Sequence, residues 1–557
     1  MRVQENRIGN YRHFYISTLI PRNMRVLVID IDSLRPDHLG CYGYDRDTSP
    51  VIDSVAENAV RFDRCFVSDS PCLPSRTALA TCRHGIDSGV VTHFGEGQWY
   101  DNPGRGHDPD PDRPLSFQHL AQHGVRTASV SSFTQRHMAY HFSAGFQDAI
   151  QPTAETGLLA VEDASDVTDA ALTWLDGHAT NNNWLLHVNY WDVHHPYQGI
   201  TEHVEAVRES GSMPAWPDED ALAAQEGMTG TRTRELWPNP AELDANWFAE
   251  KYDEWPMPDS FDSRADVEHV VDGYDAAIRK VDTEVEILLN ALDEHGVREE
   301  TAIVVTGDHG EALGEHGIYA EHALPHLACQ RIPLLISWPG LTDGIEVDAN
   351  DGAADAVGAG VEGYVYQFDL MPTLCELFDV PVPGGWAAES FRSALTDDER
   401  DEFAGREFLV CGHGIYTFGR AVYRDGWMYT RLLHPGIFSL PGQYNDPELP
   451  NEGLELLYDL EADPYQTENL IGENPEMAAE MRTTLDHWLT TRLSDSWYDH
   501  QPAETRGQDP LARMCAEGPY LYVNPNDLLA LYRDCEEDNR QADRLDETLS
   551  RFPCDGS

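Results

Sequence analysis

Four short apolar runs set the rhythm of the chain. Val26-Leu27-Val28-Ile29, Thr127–Val130, Trp184–Trp191 and Ala302-Ile303-Val304-Val305 are the length of strands rather than helices, and runs of this kind suit strands buried on both faces. Between them the period changes. Pro50–Asn58 and Leu115–His123 read as helices, and Val271, Tyr274, Ile278, Val281, Val285, Leu288 and Leu292 recur every three or four residues, which predicts a long amphipathic helix over Val267–Leu292. Buried strands alternating with helices predict an α/β protein whose large central sheet is mostly parallel and flanked by helices.

Each run hands over to residues that carry chemistry. Asp30-Ile31-Asp32-Ser33 follows the first, Arg136-His137 lies a few residues beyond the second, Asp192-Val193-His194-His195-Pro196 follows the third and Gly307-Asp308-His309 the fourth. The carboxyl ends of strands are where open α/β sheets bind ligands. Alternation puts Asp30 on the same strand face as Asp32, so Asp30 is a reserve ligand if the site holds a metal. Imidazole alone among side chains has an unperturbed pKa suited to moving protons near neutrality.

A fifth stretch, Cys72-Leu73-Pro74-Ser75-Arg76 running into Thr77–Arg83, looks like a nucleophile at the mouth of a helix. Pro74 suits a first helical turn, and Ser75 is placed to satisfy free amides. Arg76 offers a permanent charge with a planar fork of donors, fitting an oxyanion or an ionised neighbour.

Composition narrows the setting. The formal net charge is −59, from 97 acidic against 38 basic residues, and only two of the latter are lysine, Lys251 and Lys280. An acidic surface with arginine in place of lysine reads as adaptation to high salt, where self-repulsion is screened. Binding to nucleic acid is disfavoured because it needs a basic patch. Ten scattered cysteines with no CxxC pair and no zinc spacing read as reduced thiols, and no run is long enough to span a membrane, so the expectation is a cytoplasmic protein.

Cys72-x-Pro74-Ser75-Arg76, followed at fixed distance by Thr81-x-Arg83, resembles the signature of the type I sulfatases, a family with an alkaline phosphatase-like fold. The opening Leu39-Gly40-Cys41-Tyr42-Gly43, the His194-x-Pro196 segment and Thr306-Gly307-Asp308-His309-Gly310 are similar to that family's text as well. The resemblance implies a sulfate ester hydrolase in which Cys72 is oxidised to formylglycine by a formylglycine-generating enzyme. It also implies metal ligation by Asp32, the modified Cys72, Asp308 and His309, with calcium expected and manganese or magnesium as alternatives. Arg76, His137, His194 and His322 are the implied catalytic residues, with His322 standing by spacing where the family has a sulfate-binding lysine. The implied substrate is a small-molecule or carbohydrate sulfate ester. Departures are Ser33 for a second aspartate, Cys82 where glycine is usual, and no lysine at either sulfate-binding position.

The expected divisions are an extension over 1–23, read either as a misplaced start or as a basic arm; a catalytic domain over 24–419; a small α+β unit with a short antiparallel sheet over 420–500; and a helical tail over 501–557. Residues 199–261 read as an insertion near the substrate entrance. Two rivals remain: a phosphonate monoester or phosphodiester hydrolase on the same scaffold, and a degenerate binding protein.

Overall fold

The computed structural model describes residues 24–93, 95–100, 112–154, 162–226, 254–258, 261–322, 324–343, 357–396, 400, 402–415, 417–434, 454–494, 507–517 and a few positions between 529 and 550. The extension over 1–23, the middle of the insertion and most of the tail lie outside the described residues. Among the described residues no helix is long and apolar enough to cross a membrane.

The four apolar runs become the strands Arg25–Ile31, Arg126–Val130, Trp184–Tyr190 and Thr301–Gly307. They sit in one eight-stranded sheet in the order Ala359–Val361, Val60–Phe62, Leu334–Ser337, Thr301–Gly307, Arg25–Ile31, Trp184–Tyr190, Arg126–Val130, Asp148–Ile150. Only Leu334–Ser337 runs against its neighbours; every other pairing is parallel. Arg25–Ile31 is central and wholly buried. Alternation splits its side chains between two cores. Leu27, Ile29 and Ile31 pack with the helices Ala164–His178 and Arg264–Glu294, whereas Val26 and Val28 pack with Cys72–Thr81 and Leu370–Leu377. The fold is therefore an α/β sandwich, helices on both faces of a mostly parallel sheet. The predicted long helix spans Arg264–Glu294 and opens with a reciprocal cap between Ser263 and Asp266.

A second sheet of five strands runs Glu455–Asp459, Trp427–His434, Thr417–Arg424, Leu409–Ile415, Asp69–Ser70, with Pro475–Leu493 as its helix. Leu409–Ile415 lies before residue 420, and Asp69–Ser70 comes from the segment that leads directly to Cys72, pairing in parallel with Gly412 and His413. The small sheet is thus joined by backbone hydrogen bonds to the approach of the nucleophile helix. In the tail, Pro510–Glu517 is helical and is tied back by Arg420 to Asp509 at 2.5 Å.

Candidate active site

Helix Cys72–Thr81 begins at Cys72 itself, with Pro71 as its cap and no side-chain capping bond. Ser75 does not satisfy a free amide as the sequence suggested, and its buried Oγ has no hydrogen-bond partner. The Leu73 amide is taken instead by His93 Nε2 at 3.1 Å, a contact with no signal in the sequence. Accepting that bond requires His93 neutral, in keeping with burial pulling its imidazole down to about 3. At the far end Cys82 is left-handed, φ 53° and ψ 40°, in the conformation that glycine adopts at no steric cost.

Arg76 is fully buried and touches three carboxylates: Asp30 at 2.9 and 3.1 Å, Asp32 at 2.8 Å and Asp308 at 2.7 Å. Asp30 also accepts from His187 at 3.0 Å, and His187 meets Ser129 through its other nitrogen. Asp30 is therefore a partner of Arg76 and His187, standing outside the metal-type clusters. Burial pushes its carboxyl up, but Arg76 and His187 outweigh that and hold it at about 2. Asp32 and Asp308 behave oppositely. Burial raises both, and Asp308 is raised further by the negative charges of Asp32 and Asp30.

Ligand atoms of Asp32, Cys72, Asp308 and His309 lie within 4.8 Å of one another, all buried. His309 Nδ1 donates to Gly310 O at 2.8 Å, so its Nε2 lone pair faces the cluster, 3.0 Å from Cys72 Sγ. The residue after it has to be glycine, because a Cβ on Gly310 would run into Ala328 O. Ser33, left-handed at φ 58°, turns its amide onto Asp308 Oδ1 at 3.1 Å and so shapes the site from the backbone. Two crowded buried carboxylates and an imidazole with its lone pair turned inward fit a divalent cation, which would relieve the repulsion that raises both acids.

A second cluster shares the nucleophile: Cys72, His194 and His322 also fall within 4.8 Å. His194 Nδ1 donates to His195 O at 2.5 Å, and its ring stacks on Trp191 at 4.0 Å. Burial first, then the neighbouring His195 and His322, hold its pKa well below the ordinary value. His322 is the reverse. Burial pulls it down, but Glu321, Glu311 and Asp32 overcome this and raise it to about 9. Its Nδ1 stands 3.5 Å from Glu311 Oε1 and 3.6 Å from Glu321. Glu311 Oε2 faces His195 Nδ1 at 3.7 Å, so this fully buried carboxylate lies between two histidines.

Of the predicted residues, Arg76 and His137 stand outside both clusters; Arg76 bonds to Asp32 and Asp308, whereas His137 lies apart. Its Nε2 is buried without a hydrogen-bond partner, its ring packs on His93 at 4.7 Å, and burial keeps it neutral. Arg136 beside it is buried over the Trp191 ring at 3.4 Å and pairs with Glu162. Its charge acts on both Asp32 and Cys72. The sequence reading singled out neither Glu311 nor His93, and it used Asp30 for another purpose.

This chain belongs to the sulfatase family, whose model matches residues 25–380. It is a sulfuric ester hydrolase of alkaline phosphatase-like fold. It is 27% identical to mouse iduronate 2-sulfatase over 423 residues, 67% of this chain and 72% of the relative. To the N-acetylglucosamine-6-O-sulfatase of Bacteroides thetaiotaomicron it is 22% identical over 520 residues, 84% and 85% of the two chains. Among solved structures, the phosphonate monoester hydrolase of Silicibacter pomeroyi superimposes with a TM-score of 0.57 at 19% identity, covering 84% of this chain and 95% of that one.

Proposed function

We propose that the chain hydrolyses a carbohydrate sulfate ester, using Cys72 oxidised to formylglycine beside a cation held by Asp32, Asp308 and His309. The observation that carries the reading is the meeting of those four groups, from three distant stretches, within 4.8 Å. A hydrated formylglycine would supply the attacking oxygen and a way to release sulfate that a thiol lacks. The cation would polarise the sulfuryl oxygens and orient the ester. Calcium is the expected ion; the imidazole of His309 makes the site less purely oxygen-lined and so admits manganese, and magnesium is a further alternative. The two sugar sulfatases named above support a carbohydrate alcohol.

The protein's own groups divide the remaining tasks. Arg76 holds Asp32 and Asp308 in place and opposes the burial that raises both carboxyls. His322 carries the proton at neutral pH and is the donor to the departing alcohol. His194, neutral with Nδ1–H committed to His195 O, presents an Nε2 able to receive a proton. Each such transfer is worth about 100- to 10,000-fold. Among the described residues no lysine contacts either cluster, and Arg136 and His322 are the cations assigned to the sulfate group. A formylglycine-generating enzyme is the partner this maturation requires.

The test compares rates on a sugar sulfate, 4-nitrophenyl sulfate and a phenyl phosphonate monoester, with metal present. Faster sulfate turnover is expected. Phosphonate turnover without sulfate turnover would assign the site to phospho-ester hydrolysis.

A further inference from the structure

In a chain that has replaced nearly every lysine by arginine, the lysine of the long helix is buried. Lys280 Nζ reaches three oxygens: Asp163 Oδ2 at 2.5 Å, Asp192 Oδ1 at 2.7 Å and Gln198 O at 3.0 Å. Asp192 and Gln198 are the two ends of the loop that carries His194 and His195. Asp163 caps helix Ala164–His178 by accepting from the Ser165 amide, and Asp192 accepts from the Ala164 amide. One ammonium therefore gathers both ends of the histidine loop and the start of the helix beside it.

The rest of the loop is fitted to the same helix face. Seven residues before Lys280, a Cβ on Gly273 would meet Tyr197 at 2.7 Å, so the helix backbone approaches the loop closely there. Beyond Gln198 the chain turns at Gly199, φ +62°, where a Cβ would stand 2.6 Å from Lys280 Nζ. A compact ammonium with three tetrahedral donors suits this crowded point, whereas a planar guanidinium, longer and with its donors in a fixed fork, does not.

We propose that Lys280 is a positioning residue for catalysis, a clamp that closes the loop 192–198 and fixes where His194 stands against Cys72. The inference rests on the proposed role of His194. Misplacement of a reacting group by about 1 Å can cost about 100-fold in rate, so loosening the clamp should reach the chemistry without touching the metal cluster.

The test uses the full-length matured enzyme as wild type, Lys280→Arg, Lys280→Met, His194→Ala and the double variant Lys280→Arg/His194→Ala. Lys280→Arg keeps the charge that neutralises Asp163 and Asp192, so it guards against a Lys280→Met chain that fails to fold. For Lys280→Arg we expect kcat to fall about 100-fold with KM nearly unchanged. Hydrogen exchange should speed up in the peptide spanning 192–199 and not in the peptide containing Cys72. The double variant should be no slower than His194→Ala, because the two changes remove one function. Unchanged exchange at 192–199, or losses that multiply in the double variant, would overturn the proposal. If His194→Ala alone keeps full kcat, the role given to His194 fails; the clamp is then overturned as a catalytic device, and the exchange result decides whether it holds the loop.

Discussion

Replacing Glu311 by glutamine should move the alkaline limit of activity. His322 sits between Glu311 and Glu321, and its climb from 6.5 to about 9 corresponds to roughly 3 kcal/mol in favour of the cation. A full charge at the 3.5 Å separation of His322 Nδ1 and Glu311 Oε1 is worth about 5 kcal/mol at an effective dielectric of about 20. Losing it is enough to return His322 to its ordinary value or lower. The imidazolium is present below its pKa, so wild-type kcat/KM should hold on the acid side of that pKa and fall as pH rises through it. In Glu311→Gln the same fall should come about two pH units lower or more. Stability follows the same sign: a raised folded pKa contributes most below the unfolded value of 6.5 and is lost as pH rises through about 9. The assay is kcat/KM against pH on 4-nitrophenyl sulfate, both proteins carrying the same metal so that its charge cancels. A shared alkaline limb, or a wild-type rate flat across that range, would refute the reasoning.

Two further substitutions separate roles inside the site. Asp30→Asn should leave bound metal unchanged but destabilise by about 3 kcal/mol, since it breaks a buried pair with Arg76; Asp308→Asn should lose the metal, as elemental analysis of the purified proteins would show. The stability gap between wild type and Asp30→Asn should close as pH falls from 3.8 toward about 2, the interval over which Asp30 takes up its proton. Cys82→Gly removes left-handed strain of about 1 kcal/mol but also a fully buried side chain and gains unfolded-state freedom, together about 2 kcal/mol. Its melting temperature should therefore fall slightly, and a rise would contradict the balance.

The strands were legible because burial on both faces leaves continuous apolar runs, and the metal-type cluster was legible because its members stand where those strands end. Asp30 shows the limit of that logic. Alternation put it on the face of Asp32 correctly, yet only the tertiary position of Arg76 decides that it pairs with a guanidinium. Glu311 carried no signal in a chain with 97 acidic residues, and His93 meets the Leu73 amide through a loop whose course no local pattern predicts. The pairing of Asp69–Ser70 with Leu409–Ile415 joins segments more than 300 residues apart in sequence, beyond the reach of periodicity. The scarcity of lysine was visible from the start, but its consequence at Lys280 needed the loop that the ammonium closes.

The most direct measurement is the intact mass of the peptide containing Cys72, from protein made in its native host or beside a formylglycine-generating enzyme. Conversion of the thiol to an aldehyde lowers that mass by about 18 Da, and the proposed mechanism predicts this shift in the active fraction. Active enzyme carrying an unmodified Cys72 thiol would contradict it.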